Sequence, residues 1–391
     1  MGSDALYIVL VFALFVIPKV LQRYRMPGAI TSLVLGIAAS LTGLFENDTV
    51  VAMLGTFGIV ALFLIAGMEV RFGELRQNAG VLAQHLVIQT SVFVLVALLL
   101  AEAFGLDWRA SALAGLALLT PSAGFILDSM GSFGLGESGR FWVKSKAIAA
   151  ELLALVTLFV VMQSSSVGHF ALASAALMLL LLMVPALFRL FAIRIAPFAP
   201  RSEFAFLIML AVVCAYATKH LGVYYLVGAF LVGLAAQRFR EKLPAMSSER
   251  MLHAVEAFAS VFTPFYFFNA GLMFRVSDFG PWALLAAAGF VVLFLPLRVG
   301  MVALHRRLAL KENVWQGLQV GITLLPSLVF TLILAQILRE RFDAPGWLVG
   351  GLGIYTVINT LVPGLLLHTP PPDYESPHLA EPASPPEDKN R

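Results

Sequence analysis

Charge is scarce in this chain. Only 13% of its 391 residues are Asp, Glu, Lys or Arg, while 60% are hydrophobic. A soluble domain carries roughly 25% charged residues, and with a mean hydropathy of +0.89 the chain falls among membrane proteins. Cysteine is nearly absent. Cys214 stands alone, so it makes no internal disulfide and no cysteine metal cluster, and it reads as a small hydrophobe within a span. Alternating ten-residue strands are missing, which argues against a β-barrel. There is no phosphate-cradling loop, no metal-ligand spacing and no nucleophile beside a base, so neither an enzyme nor a bound cofactor is expected. The net charge of +3 is carried between apolar runs, which speaks for membrane topology and against nucleic acid as a partner.

What is present is a train of apolar runs, each long enough for a helix crossing roughly 30 Å of hydrocarbon. The runs predict an all-α membrane protein with about thirteen spans, at 5–22, 27–44, 50–68, 79–104, 109–128, 144–163, 167–190, 203–219, 221–237, 255–274, 281–304, 315–338 and 345–367. Residues 5–22 lack a charged leader and a small-residue cleavage site, so they are expected to remain as the first span. Residues 1–368 form the transmembrane part. The segment 369–391, rich in proline and acidic residues, is expected to be a disordered tail, with no soluble domain after the membrane part.

The loops alternate in charge. One set carries Lys19, Arg23, Arg25, Arg71, Arg76, Arg140, Lys144, Lys146, Arg189, Arg194, Arg201, Arg238, Arg240, Lys242, Arg250, Arg306, Arg307 and Lys311, and the other only Arg109, Lys219, Arg275, Arg339 and Arg341. This bias puts the N-terminus outside and the C-terminus in the cytoplasm. Lys144 and Lys146 read as cytoplasmic anchors of their span. The lack of a targeting segment fits a prokaryotic inner membrane.

Two segments echo each other. ALLTPSAGFIL at 117–127 and ITLLPSLVFTL at 322–332 match at Leu119, Pro121, Ser122, Phe125 and Leu127. The offset covers seven spans, so the second copy runs inverted through the bilayer. Inverted repeats with broken helices at matching places point to a transporter site at mid-membrane. Pro121 and Pro326 each remove a backbone donor in mid-span, and lipid supplies no substitute partner. Two such breaks that cross would offer helix ends of both signs. The hydroxyls of Thr120, Ser122 and Ser327 add oxygen ligands for a hard monovalent cation. The plainer reading is a pair of proline kinks.

Glu151 is the sole carboxylate of its span. A charge at that depth costs about 3 to 5 kcal/mol, which makes it a functional candidate by default. Such a carboxyl can hold a proton and release it when a cation arrives. Alternatively it is a structural partner for a basic residue. Arg298 lies well inside Arg306-Arg307, too deep to snorkel easily, so it is expected to pair with a carboxylate or with the carbonyl ends of the broken helices. Glu151 is its best partner by elimination. Thr356 and Asn359 lie where the repeat offset carries Glu151. They join His85, Gln89, Thr90 and Asn269 as polar groups that more often glue helices together.

In order and spacing these segments resemble the monovalent cation:proton antiporter superfamily, in particular its second branch with the potassium-efflux exchangers. KVLQRYRMPGAITSLVLGI resembles the family's second-span start and GTFGIVALFLIAGMEV its third span. LTPSA at 119–123 lies at its unwound crossing, VGAFLVGLAAQ and FFNAGLMF resemble two later segments, and Arg298 falls at a membrane-embedded basic position. The resemblance implies a homodimer with a dimerisation part at about 5–68 and 203–274, and a mobile core at about 79–163 and 281–367 containing two crossed broken helices. It also implies exchange of sodium or potassium for protons by alternating access. The chain departs from the pattern in two places. Ala150-Glu151 stands where the family has an acidic dipeptide ending in Asp, and Thr120-Pro121 lacks an intervening Asp. The residues leave three readings open: cation:proton exchange through Glu151, transport of an organic solute or anion on the same fold, and a non-transporting or channel-like protein.

Overall fold

The computed structural model describes residues 3–70, 72–164, 166–199, 202–221, 225–242 and 249–367. The expected tail lies outside them. Among the described residues no strand occurs. The helices are α1 (Ser3–Gln22), α2 (Gly28–Leu41), α3 (Thr49–Met68), α4 (Phe72–Gln77), α5 (Ala79–Phe104), α6 (Trp108–Leu119), α7 (Ala123–Ser129) and α8 (Glu137–Gln163). They continue as α9 (Val167–Leu190), α10 (Glu203–His220), α11 (Tyr225–Lys242), α12 (Glu249–Leu272), α13 (Pro281–Leu310), α14 (Val314–Thr323), α15 (Leu328–Phe342) and α16 (Gly346–Leu366).

Among the described residues ten helical stretches are long and apolar enough to cross a membrane, counting α6 with α7 as one, and α14 with α15 makes an eleventh that bends by 49°. The two remaining expected spans coincide with shorter apolar helices, Gly28–Leu41 and Leu226–Arg238. All thirteen expected segments thus have helical counterparts, and the chain is an integral membrane protein. The largest shift is in α8, which starts at Glu137 rather than near 144 and so draws Lys144 and Lys146 into its interior.

Local chemistry sets the ends. Asp48 caps α3 by accepting from the amides of Val50 and Val51, and Asp107 and Asn313 do the same for α6 and α14. Each satisfies amides that the helix itself leaves open. Pro281 occupies the first turn of α13, where its missing N–H costs nothing.

Two glycine pairs let helices meet backbone to backbone. A Cβ on Gly67 of α3 would lie 2.3 Å from the Phe230 carbonyl oxygen, and one on Gly233 of α11 would lie 2.1 Å from that of Leu64. Gly36 of α2 and Gly271 of α12 show the same mutual exclusion, at 2.0 Å and 2.3 Å. Close approach through small residues is how helices gain contact where lipid removes the hydrophobic drive. Helices α2 and α3 pack on α12, and α3 also packs on α11; α13 packs on α14 and α16, and α6 on α5 and α15.

Candidate functional site

Of the prolines that fall in mid-span, two open the chain and five do not. Pro18, Pro185, Pro264, Pro296 and Pro363 stay inside helices. At Pro121 the chain is open between α6 and α7, and at Pro326 between α14 and α15. The difference lies in what the other break supplies. The Ser122 amide donates to the Pro326 carbonyl at 2.8 Å. Ser122 Oγ accepts from the amides of Val329 at 3.0 Å and Phe330 at 3.3 Å. Thr331 Oγ1 donates to the Ala117 carbonyl at 2.7 Å. Each break satisfies groups exposed by the other, so the two unwound segments cross as a unit.

The same region ties in α13 and α16. Arg298 Nη2 donates to the Leu324 carbonyl at 2.9 Å, and Nη1 to Tyr355 Oη at 3.2 Å. Tyr355 Oη in turn donates to the Leu118 carbonyl at 2.8 Å. The guanidinium therefore serves the C-terminal ends of both α6 and α14, where unpaired carbonyls give a partial negative charge. Its partners are these oxygens and not Glu151, which corrects the pairing expected by elimination. The alternative of carbonyl ends is what occurs.

Ser327, Thr356 and Asn359 come together. Asn359 Nδ2 donates to Ser327 Oγ at 2.8 Å, and its Oδ1 accepts from the Ser327 amide at 3.3 Å. Ser327 Oγ also lies 2.7 Å from Thr331 Oγ1 and 3.4 Å from Thr356 Oγ1. The hydroxyls of Ser122 and Ser327 are thus engaged in holding the crossing. Thr120 is buried and lines a small cavity of about 50 Å³ with Gln89, Thr90, Ala150 and Thr157.

Glu151 is 3% exposed. Its Oε2 is buried without a hydrogen-bond partner, and no ion pair joins it among the described residues. It sits on α8, which packs against α5, α6, α7 and α14, so the carboxyl-bearing helix touches parts of both broken spans. Its neighbour Ala150 faces the cavity that holds Thr120.

Lys146 is not an anchor at the membrane surface. It is wholly buried, with Nζ 2.9 Å from His305 Nδ1. Arg306, expected in a loop, is also buried and pairs with Glu312. Lys144 is the partly exposed one, and it pairs with Glu69. A long amphipathic side chain placed by hydropathy alone reads as an anchor, and only the early start of α8 reveals otherwise. Tyr355 and Thr331 were also missed. The available signal was spacing: Tyr355 precedes Asn359 by one helical turn, and Thr331 follows Ser327 by one turn.

A large cavity of about 970 Å³ reaches this region. Its walls include Lys19, Arg25, Glu69, His253 and Glu256, and also Gly124, Phe125, Val329 and Thr360 beside the crossing. It lies between α1, α2, α3 and α12 on one side and α7, α15 and α16 on the other. Tyr266 Oη of α12 donates to the Val329 carbonyl at 3.4 Å, and Phe63 of α3 meets Phe330 edge-on at 5.8 Å, so the two sides touch at the cavity's inner end.

The comparisons with known proteins agree with this arrangement. A structure of the sodium proton antiporter MjNhaP1 from Methanocaldococcus jannaschii, at pH 8, superposes with a TM-score of 0.66 over 93% of this chain and 99% of that one, at 15% identity. That likeness establishes the fold. The Na(+)/H(+) antiporter NhaS5 of Synechocystis is 22% identical over 375 residues, covering 92% of this chain. This chain spans about half the length of that relative, 52%. Residues 9–370 match the family described as sodium/hydrogen exchanger, transmembrane. A match of that extent, on a chain whose two opened spans satisfy each other's backbone, makes this protein a member of the sodium/hydrogen exchanger family.

Proposed function

We propose that the chain exchanges a monovalent cation, sodium or potassium, for protons by alternating access, with Glu151 as the shared proton and cation site. The observation that carries this is a buried carboxyl whose Oε2 has no hydrogen-bond partner among the described residues, on a helix packed against both opened spans. A carboxylate so placed is stable only with a proton or a cation beside it. Thr120 is the hydroxyl best free to join Glu151 as a ligand, because Ser122 and Ser327 hold the crossing. Family membership and the names of the similar proteins support the cation and proton as substrates.

Alternating access would move one group of helices against another. Helices α1 to α3 with α10 to α12 would form the dimerisation part, α5 to α8 with α13 to α16 the core, and α9 the link. The packing of α2 on α12, of α3 on α11 and α12, and of α13 on α14 and α16, supports that division. The loop-charge bias supports a cytoplasmic position for the face carrying Lys19 and Arg25 and an outside N-terminus.

The test is proteoliposome exchange. An imposed pH gradient should collapse when sodium or potassium is added to wild type and persist with Glu151→Gln. Full activity in that variant removes Glu151 from the mechanism. The cavity volume of about 970 Å³ far exceeds a bare ion and favours one second reading, an organic solute. If no cation collapses the gradient, stabilisation by organic solutes is the next screen.

A further inference from the structure

A second set of buried titratable groups lies away from the crossing. It comprises His85 of α5, Lys146 of α8, and His305 and Arg306 of α13, with Trp142 of α8 beside Lys146 and the partly exposed Glu312 just before α14. Lys146 precedes Glu151 by five residues, about 7.5 Å along α8 and roughly 140° around it. The two groups share a helix and face different neighbours.

Lys146 Nζ meets His305 Nδ1 at 2.9 Å. An ammonium has three donors and no acceptor, and imidazole Nδ1 either donates or accepts. The bond therefore exists with one proton shared by the pair, as ammonium to neutral imidazole or imidazolium to neutral amine. It also survives loss of that proton, since a neutral amine can donate to or accept from Nδ1. It cannot survive the gain of a second proton, because ammonium and imidazolium would then face each other as two donors. Around it, His85 stacks on His305 with ring centroids 5.8 Å apart. Arg306 pairs with the carboxylate of Glu312, and among the described residues no carboxylate forms an ion pair with Lys146. His305 Nε2 and His85 Nδ1 are buried without partners. Of the other elements on α8, α6 brings Arg109, which bonds the carbonyls of Val161 and Met162 at the far end. Lys144, on α8 itself, is taken by Glu69 of the α3 end.

We propose that Lys146 and His305 form a second proton-carrying site, which gains and loses one proton during transport independently of Glu151. The inference rests on the exchange reading above. A fixed structural pair would be better made from a carboxylate and a base. A pair that keeps its bond with one proton or none suits a group that must be loaded and unloaded without rearrangement.

Cation-driven proton movement in proteoliposomes, followed across a pH series, tests it with full-length protein. Lys146→Arg keeps a cation in place but cannot release its proton, and His305→Gln keeps an acceptor without the titration. Each is expected to shift the pH of half-maximal exchange by about one unit or more, tenfold in proton concentration, and the double variant should shift it no further. Variants that lower the maximal rate and leave the profile in place overturn the proposal. If wild type shows no exchange, the exchange reading is what has failed. Potentiometric titration of the solubilised protein then decides the proton site. Loss of the same proton uptake in Lys146→Gln and His305→Gln sustains it, and unchanged curves remove it.

Discussion

Ser122→Ala should destabilise the protein far more than its size suggests. The hydroxyl accepts from two buried amides of α15, Val329 at 3.0 Å and Phe330 at 3.3 Å, and it lies on the other broken span. Alanine leaves both amides unpaired where water does not reach. An unsatisfied buried donor costs about 1–3 kcal/mol. Taking the longer bond at the low end gives about 2–4 kcal/mol, or roughly thirty-fold to a thousandfold in the folded-to-unfolded ratio. The backbone bond from Ser122 to Pro326 survives, so the crossing should loosen without dissolving. Reversible denaturant titration in mixed micelles measures the loss. Ser91→Ala is the control, because that hydroxyl is exposed and bonds only a carbonyl of its own helix, so a change within about 0.5 kcal/mol is expected there. If Ser122→Ala behaves like the control, mutual satisfaction of the two breaks is not what holds them open.

Arg298→Lys should cost about 1–3 kcal/mol, because one ammonium cannot serve both Leu324 and Tyr355 as the guanidinium fork does; a double-mutant cycle with Tyr355→Phe showing less than about 0.5 kcal/mol of coupling would refute the shared role. Asp48 titrates outside the spans. Burial works against its charge, but the Tyr7 hydroxyl and the amides of Val51 and Val50 donate to the carboxylate and hold its pKa below the ordinary value. Its contribution to stability is therefore complete above the unfolded carboxyl pKa of about 4 and is lost as pH falls through the lower folded value. Acid unfolding curves of wild type and Asp48→Asn should accordingly converge at low pH, and curves that stay parallel would contradict this.

The fold was legible because hydropathy, loop charge and proline placement all spoke to it. Pro121 and Pro326 differ from the five prolines that stay within helices in having a following serine and a partner segment of similar sequence. The echo between 117–127 and 322–332 exposed that. What sequence could not give was the direction of side chains. By hydropathy Lys146 and Arg306 read as loop or anchor positions and Arg298 as a residue deeper in its span, and elimination paired Arg298 with Glu151. Elimination counts side chains only. Arg298 is found on the Leu324 carbonyl and Tyr355, Lys146 on His305 and Arg306 on Glu312, and an opened helix creates a carbonyl acceptor such as that of Leu324 without leaving any mark in composition.

The pair of Lys144 and Glu69 allows the proposed movement to be tested where its two halves meet. Glu69 ends α3, on the proposed dimerisation side, and lines the large cavity, and Lys144 lies in α8, in the proposed core. If the core moves past α3, this pair must part in every cycle. Its side chains are 20% and 26% exposed, so its stabilisation is about 0.2–1 kcal/mol. That shifts an equilibrium by about fivefold at most, weak enough for repeated breakage. Glu69→Gln should therefore alter exchange by no more than about that factor. A covalent link in the same place should stop it. Two long side chains meeting at their tips hold their backbones too far apart for a disulfide, so a short bis-maleimide between Glu69→Cys and Lys144→Cys, in a Cys214→Ala background, is the suitable bridge. A monofunctional maleimide separates the effect of labelling from that of linking. Loss of exchange only with the bridging reagent means that α3 and α8 separate during transport, whereas undiminished exchange by the linked protein means that the two halves do not move apart at this face.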